Sequence, residues 1–466
     1  MKSDKNSWIL TMVLSSALFM ENMDSNVIST SLPAIAYDIH TDPISLKLAM
    51  TSYMVALSIF IPISGWASDN FSSKKTFKCA VITFLIGSVL CSLAHSLLYF
   101  VFARFVQGMG GAMMVPVGRL VLLRNTSKDN LVSALSLFSI TALVGPLVGP
   151  LIGGFITTYF TWHWIFLINV PIGIIGLIFA DIYMPTDEEL YRSSLNIKDF
   201  LLLSISFSSF IFGISIINII GFPKIYGTSL ITIGLVSSYI YYCYAKSAKN
   251  PIMDIKIFKN QVFCKSIIGG ILFRTGIGAI PFFLPLMVQL CFHLSPMQSG
   301  LITFTAAIGA ISMKFIVQAI LNTAGFYNTA VYGTMICALF TSVYAFITSD
   351  TPYWILIPVV FSGGLLRAMF FSCINAIGFS EINKKNMSKA NPIYAVAQQS
   401  SIATGIAVGG IILETLISIH GGEVRLSDFH IGFIIISLIS LSSVLVFATF
   451  DKNVGASLQK SKTSKV

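Results

Sequence analysis

Apolar stretches of roughly 20 residues recur along the chain from Trp8 to Phe450, with short polar segments between them. Each stretch is long enough to cross a hydrocarbon core of about 30 Å as an α-helix. We predict fourteen spans, near residues 8–30, 44–68, 77–96, 98–121, 131–159, 164–183, 199–220, 226–245, 262–290, 297–320, 328–348, 353–378, 393–419 and 429–450. This repetition excludes a peripheral protein and predicts an all-α integral membrane protein.

The first stretch, from Trp8 to about Ile28, has the basic start and apolar middle of a secretion signal. We expect it to be retained as the first span, because Glu21 and Asp24 interrupt the apolar run and no small-residue cleavage site follows.

Composition points to lipid as the main solvent. The 466 residues are 55% hydrophobic and only 10% charged, which leaves more apolar surface than a soluble core could hide. The seven cysteines form no CxxC pair, and none of the six histidines stand four residues apart, so we expect neither a metal site nor a cofactor.

The net charge of +10 does not indicate a nucleic-acid partner, because the cations are unevenly distributed between alternate loops. If the N-terminus is cytoplasmic, the outer loops hold only Lys47, Lys224 and Arg425, and most other loop cations lie inside. An odd number of spans would destroy this positive-inside pattern. Both termini are therefore predicted to face the cytoplasm.

The polar segments divide the chain into two bundles with an insertion between them. We predict an N-terminal six-helix bundle over 1–183, a linker with two extra spans over 184–261, a C-terminal six-helix bundle over 262–450 and a basic cytoplasmic tail over 451–466. Six plus two plus six is the count expected when one helical hairpin is inserted between the halves of a transporter built from repeats.

The fifth span contains the string Gly145-Pro146-Leu147-Val148-Gly149-Pro150-Leu151-Ile152-Gly153-Gly154. Glycines four residues apart form a flat surface for close helix packing, and the prolines bend the helix. The string could belong to a helix that only packs. It also matches GxxxGPxxGG at every fixed position, and in this it resembles the major facilitator superfamily, in particular the fourteen-helix drug:proton antiporters of the EmrB/QacA type.

Further segments are similar to the same family. Residues 162–173 resemble its WRWxFxxNxPxG segment with His163 in place of arginine, and residues 250–260 resemble its amphipathic linker. The loop after the second span keeps Gly65, Asp69 and Lys74 of the signature GxLxDRxGRKx, whereas Asn70, Ser72 and Ser73 replace arginine, glycine and arginine. The resemblance implies an inner gate at this loop, weaker than usual.

Three charged residues lie well away from the ends of the first-half spans, where such groups are costly: Glu21, Asp24 and Arg104. Asp24 and Arg104 each stand about six residues from the outer end of their span, so both should lie roughly 9 Å below the outer surface and can pair. The family resemblance links these positions to proton coupling. A permanent salt bridge that only holds the bundle together is the alternative.

Three cations lie inside spans of the second half, Arg274, Lys314 and Arg367, and Glu414 is the opposite charge available there. By resemblance these spans line a substrate cavity, to which we assign Asn375 as well. An anion would be attracted and a lipophilic cation repelled by this set. The pattern resembles the multidrug resistance protein D subgroup of the family.

The resemblance implies a major facilitator fold that moves small molecules out of the cytoplasm by proton-coupled antiport, as in multidrug efflux. One alternative is export of an organic anion such as a polycarboxylate, a metal chelate or a siderophore, and another is a membrane sensor that does not transport. An enzyme is not expected, because the sequence offers no nucleophile with a base partner. We expect a monomer in a bacterial inner membrane, driven by the proton gradient.

Overall fold

The computed structural model describes residues 2–126, 128–185, 194–219, 223–248, 251–383 and 386–458. Within these ranges all regular elements are helical. The α-helices are α1 Lys2–Val27, α2 Leu32–Asp38, α3 Lys47–Phe60, α4 Ser64–Phe71, α5 Ser73–Ser92, α6 Leu97–Asn125, α7 Lys128–Tyr159, α8 Trp164–Leu167, α9 Asn169–Tyr183, α10 Ile197–Ile216, α11 Lys224–Ser247, α12 Gln261–Ile277, α13 Ile280–Leu290, α14 Pro296–Ala324, α15 Phe326–Asn328, α16 Thr334–Thr341, α17 Tyr353–Ser380, α18 Met387–Ile419 and α19 Leu426–Phe447.

In the described part of the chain, 12 helical segments are long and apolar enough to cross a membrane. They are Lys47–Phe71, Ser73–Ser92, Leu97–Asn125, Ser133–Tyr159, Trp164–Tyr183, Ile197–Ile216, Gln261–Leu290, Pro296–Ala324, Phe326–Phe346, Tyr353–Ser380, Lys389–Ile419 and Leu426–Phe447. All of them coincide with predicted spans. The all-α membrane architecture is thus confirmed.

The predicted count of fourteen is not confirmed, because the first and eighth predicted spans are missing from this set. Both are helices: α1 has 26 residues and α11 has 24. Glu21 and Asp24 lower the mean hydropathy of α1, and the many serine and tyrosine side chains of α11 do the same there.

The chain forms two compact units, residues 1–241 with 294–301 and residues 242–293 with 302–466. In the first unit α1 packs against α6, α7 and α9, and α6 also packs against α3 and α5. The inserted hairpin joins this unit, since α10 lies against α3 with the rings of Phe60 and Phe200 5.8 Å apart. The α1 helix therefore lies among the packed helices of its unit, and its Glu21 and Asp24 side chains are buried in protein.

In the second unit α12 packs against α17, α18 and α19. Gly276 of α12 allows a close approach to α19, since a Cβ there would lie 2.4 Å from the Ile436 carbonyl oxygen. The ring of Phe283 meets the rings of Phe429 and Phe433 edge-on. The second half of the predicted basic tail, residues 459–466, lies outside the described residues, which end at Leu458.

Candidate functional site

The first unit holds a buried ion pair between α1 and α6. Arg104 Nη1 lies 2.5 Å from Asp24 Oδ2, and the two side chains are 1% and 0% exposed. The pairing predicted from helical rise is therefore confirmed. A buried ion pair is stable only when further hydrogen bonds satisfy the charges that were removed from water, so the surrounding polar residues decide how it behaves.

Neutral polar side chains complete the pair from three other positions. Gln107 accepts a hydrogen bond from Arg104 Nη1 at 2.6 Å and donates one to Asp24 Oδ1 at 2.8 Å. Asn169 of α9 donates to the same carboxylate oxygen at 3.0 Å, and the Ser88 hydroxyl of α5 accepts from Gln107 at 2.8 Å. Three side chains, Arg104, Gln107 and Asn169, therefore donate hydrogen bonds to the Asp24 carboxylate.

Glu21 lies beside this pair, one helical turn before Asp24. It is 7% exposed, and it lies near Tyr53 of α3, since a Cβ on Gly111 of α6 would lie 2.9 Å from the Tyr53 hydroxyl and 3.4 Å from Glu21 Cγ. The Arg104 guanidinium lies over the ring of the same tyrosine, 4.3 Å from its centroid. The structure thus brings together all three residues that the sequence linked to the proton, and adds Tyr53 between them.

The glycines of the α7 string are the close-packing surface predicted for them. A Cβ on Gly145, Gly149 or Gly153 would lie 2.7, 3.0 and 2.4 Å from atoms of α1. The nearest atom to Gly153 is the Val27 carbonyl oxygen. Backbone contact at this distance tolerates no side chain, so α7 fixes the part of α1 that carries Asp24.

Pro150 and Gly154 also make contacts within the first unit. The Pro150 carbonyl oxygen accepts a hydrogen bond from the Thr30 hydroxyl at 3.4 Å. Gly154 lies against the first turn of α14, where an added Cβ would be 2.4 Å from the Pro296 carbonyl oxygen. The string therefore lies where α7 packs closely on two neighbours, α1 and the first turn of α14.

Ion pairs form on both sides of the turn between α4 and α5. Asp69 of α4 pairs with Arg124 of α6 at 3.0 Å. Lys74 of α5 lies 3.7 Å from the Asp181 carboxylate of α9 and donates to the Asp181 carbonyl oxygen at 2.6 Å. A Cβ on Gly65 would have no neighbour within 4 Å, so packing does not explain why this position has the glycine of the signature. The loop thus ties together the ends of α4, α5, α6 and α9.

Ser72, which stands where the superfamily signature has glycine, adopts φ +73° and ψ 146°. Side chains strongly disfavour this region, at a cost of about 1–3 kcal/mol. We expect Ser72→Gly to raise the free energy of unfolding by about 1 kcal/mol, even though its hydroxyl accepts a hydrogen bond from the Lys75 N–H. Thermal unfolding in detergent measures the change.

Ser64→Gly is the matched control, because Ser64 has φ −60° in a helix, where glycine destabilises. If Ser72→Gly lowers the melting temperature as much as Ser64→Gly does, the strain at Ser72 is refuted.

In the second unit Arg274 is 1% exposed on α12. Its Nη2 donates to the Tyr394 hydroxyl of α18 at 2.7 Å, and its guanidinium lies over the rings of Phe371 and Tyr394. No carboxylate of the described ranges lies within ion-pair distance, and Nε is buried without a hydrogen-bond partner. Tyr394 carried no sequence signal, since the search there considered only opposite charges.

The other predicted cavity residues differ in burial and in hydrogen bonding. Arg367 is half-buried and donates to the Gly363 carbonyl oxygen of its own helix at 3.3 Å, while Lys314 and Asn375 are exposed. Glu414 lies nine residues beyond Gly405, which packs against the Arg274 backbone, so it is about 14 Å further along α18. The hydrogen-bond partner of Arg274 in the described structure is thus the Tyr394 hydroxyl rather than a carboxylate.

The linker before α12 is fastened to α18 by one ion pair. Asp254 accepts a hydrogen bond from Lys389 Nζ at 3.0 Å and another from the Lys256 N–H. Partial burial opposes ionisation, but these two hydrogen bonds hold the pKa of Asp254 below its ordinary value. The predicted linker segment begins at Asn250, which lies outside the described residues.

Two relatives match most of the chain. MdtD of Pectobacterium carotovorum subsp. carotovorum, named as a multidrug resistance protein, is 30% identical over 449 residues, with 96% of each chain covered. HsrA of Haemophilus influenzae, named as a transport protein, is 31% identical over 409 residues, with 88% of this chain and 87% of that protein covered.

Solved structures share the fold. The nucleoside transporter NupG has a TM-score of 0.67 at 12% identity and covers 95% of this chain and 100% of its own. A D-xylose-proton symporter has a TM-score of 0.68 at 13% identity and covers 95% of this chain and 97% of its own. Identities this low show likeness of fold alone.

The family model described as Major Facilitator Superfamily matches residues 14–406, which include α6, α7, α9 and most of α1. With helical spans throughout and relatives named as transport and multidrug resistance proteins, the molecule is a multi-pass membrane transporter rather than an enzyme. The chain belongs to the Major Facilitator Superfamily.

Proposed function

We propose that the chain is a proton-coupled antiporter that exports small molecules from the cytoplasm by alternating access, with the proton gradient as its energy source and no cofactor. The observation that carries the proposal is the buried pair of Asp24 and Arg104. Protonation of Asp24 would cancel the attraction and leave a buried guanidinium, which is expensive. A proton can therefore favour a second arrangement of these helices, as coupling requires.

We further propose the fourteen-helix EmrB/QacA type. Helix α1 has 26 residues, about 39 Å, and its buried Asp24 lies among the other spans of its unit. Helix α11 has 24 residues and packs on α10 through Gly213, Gly227 and Gly234. If both cross, the even count puts the basic loops and both termini on the cytoplasmic side of a bacterial inner membrane. The protein would act there as a monomer.

Inverted membrane vesicles test the proposal, because an exporter faces inward there and concentrates its substrate in the lumen. We expect an acidic lumen to drive uptake of a fluorescent cationic dye, and an ionophore that exchanges protons for potassium to abolish it. Uptake that is indifferent to the ionophore would refute proton coupling. Substrate binding without any uptake would favour the non-transporting sensor.

A second candidate function, export of an organic anion, is favoured by Arg274. Its guanidinium is buried, with two aromatic rings, Phe371 and the phenol of Tyr394, rather than a carboxylate around it in the described structure. Such a cation would attract a carboxylate-bearing substrate and repel a cationic drug. A polycarboxylate, a metal chelate or a siderophore would suit it.

Arg274→Gln and Arg367→Gln are therefore expected to weaken binding of a tricarboxylate about tenfold or more, since a hydrogen bond to a charged group contributes about 1.5–3 kcal/mol. Binding of a cationic dye should be unaffected. Calorimetry on the purified protein measures both, with exposed Arg425→Gln as the control. Weakened dye binding with unchanged anion binding would exclude the anion candidate.

A further inference from the structure

The second unit contains a cavity that is lined by none of the residues assigned above to transport. It has a volume of about 420 Å³ and lies between the turn from α14 to α15 and the segment that follows α19. This volume falls within the range of about 300–1,000 Å³ that is usual for small-molecule sites. The lining comprises residues 324–328, Tyr332, 452–454 and Ala456.

The turn on one side of this cavity repeats the turn between α4 and α5. Gly325 has φ +83° and ψ 159°, close to the φ +73° and ψ 146° of Ser72, and each of these residues precedes a new helix. Counted from them, Tyr327 stands where the first turn has Lys74, which pairs with Asp181. In the second turn this position lines the cavity instead.

The cavity carries positive charge. Among the described residues that line it, Lys452 is the only charged one, and Asn453 and the phenols of Tyr327 and Tyr332 supply neutral donors. No carboxylate in the part of the chain that the structure describes lies within ion-pair distance of Lys452. A cation among neutral donors suits an anion with several acceptor oxygens, such as a phosphate.

The segment that carries Lys452 is packed against its unit. Val454 is 6% exposed, and a Cβ on Gly455, which has φ +72°, would lie 2.7 Å from the ring of Phe326. The Val454 N–H donates to the Asp451 carbonyl oxygen at 3.0 Å, so the chain turns at this lysine. The cation is therefore held at the cavity by a packed turn.

The cavity lies at the ends of membrane spans. One candidate span ends at Ala324 and the next begins at Phe326, while α19 ends at Phe447, five residues before Lys452. Tyr332 is 55% exposed at the same place, as tyrosines at a membrane–water interface often are. Lipid headgroups lie at this level of a bilayer, and anionic ones attract lysines there.

We propose that this cavity binds the phosphate-bearing headgroup of an anionic phospholipid. Lys452 binds the phosphate, and the amide of Asn453 and the phenols donate to the remaining oxygens. The headgroup joins the segment after α19 to the turn before α15, where the first unit has the pair of Lys74 and Asp181. The inference is independent of proton coupling and of the direction of transport.

Native mass spectrometry of the full-length protein in detergent tests the inference with phosphatidylglycerol as the probe. We expect the wild type to retain this lipid and Lys452→Gln to weaken its binding about tenfold or more, because a hydrogen bond to a charged group is lost. Lys259→Gln is the matched control, since Lys259 is exposed on the linker and does not line the cavity. It should weaken binding about fivefold or less. Equal weakening by both variants would overturn the site.

Ala324→Trp tests the cavity itself. Ala324 is exposed at the end of α14, so tryptophan there fills the cavity without any change in charge. We expect this variant to lose phosphatidylglycerol in the same experiment. Wild-type binding by Ala324→Trp would contradict a headgroup in this cavity.

Two further probes identify the ligand. Phosphatidylcholine should bind the wild type at least about fivefold more weakly than phosphatidylglycerol, because Lys452 repels its choline cation. Glycerol 3-phosphate, which has no acyl chains, should not displace phosphatidylglycerol at equal concentration. Equal binding of phosphatidylcholine would overturn the preference for an anionic lipid, and displacement by glycerol 3-phosphate would identify a site for soluble phosphate esters instead.

Discussion

Asp24→Asn is expected to reduce pH-gradient-driven uptake into inverted vesicles to the rate of vesicles without the protein. Asparagine keeps the size of the side chain and one oxygen for Arg104, so membrane insertion should be preserved. It cannot carry the negative charge, however, and proton binding can no longer change the attraction between α1 and α6. Uptake is measured with equal amounts of inserted protein, which are quantified by immunoblot.

A second variant separates coupling from a purely structural ion pair. Asp24→Asn combined with Arg104→Gln removes both charges, so it should recover much of the stability lost in Asp24→Asn, where a buried cation is left unpaired at a cost of about 3–5 kcal/mol. Transport should not recover with it. A double variant that folds and transports at the wild-type rate would show that the pair only holds the bundle together.

Gly153→Ala is expected to have the second largest effect. The added Cβ would lie 2.4 Å from the Val27 carbonyl oxygen and 2.6 Å from the Thr30 hydroxyl, so the backbone of α1 must move. Overpacking of this kind costs about 1–3 kcal/mol. It also displaces the segment that carries Asp24, so we expect a lower melting temperature and a transport rate at least about tenfold lower.

Gly118→Ala is the matched control, since the same methyl group on α6 would find its nearest neighbours at 3.7 Å. Alanine is the better helix former, so this variant should melt at or above the wild-type temperature. If Gly153→Ala behaves like Gly118→Ala, the α7 string has no close-packing role.

The charged part of the site could be predicted because charge inside a membrane span is rare and depth follows from helical rise. Asp24 and Arg104 stood equally far from the outer ends of their spans, and they do pair. The close-packing role of the α7 glycines could also be predicted from the sequence, because glycines four residues apart form a flat surface for a neighbouring helix. In the structure that neighbour is α1.

The neutral members of the site could not be predicted. Asn169 stands inside the recognised segment 162–173 and Gln107 three residues after Arg104, but the sequence does not say which way an amide side chain points. Tyr53 and Tyr394 look like ordinary apolar residues of their spans until the guanidinium above each ring is seen. For Arg274 the sequence offered only Glu414, because a search by opposite charge overlooks a phenol.

Buried polar residues also affect the count of membrane spans. A polar cluster in the middle of a bundle lowers the hydropathy of the helix that carries it, so α1 resembles a poor membrane span because of Asp24 and Glu21. The burial of both residues shows that neighbouring helices, and not lipid, are their environment.

The central claim is that substrate and proton move in opposite directions through one protein. Proteoliposomes with a pH-sensitive dye in the lumen test it directly: a substrate gradient is imposed at equal pH on both sides, and lumen pH is followed. We predict that substrate leaving the lumen draws protons in and acidifies it, and that Asp24→Asn shows no such change. Substrate flux through the wild-type protein at constant lumen pH would contradict the account.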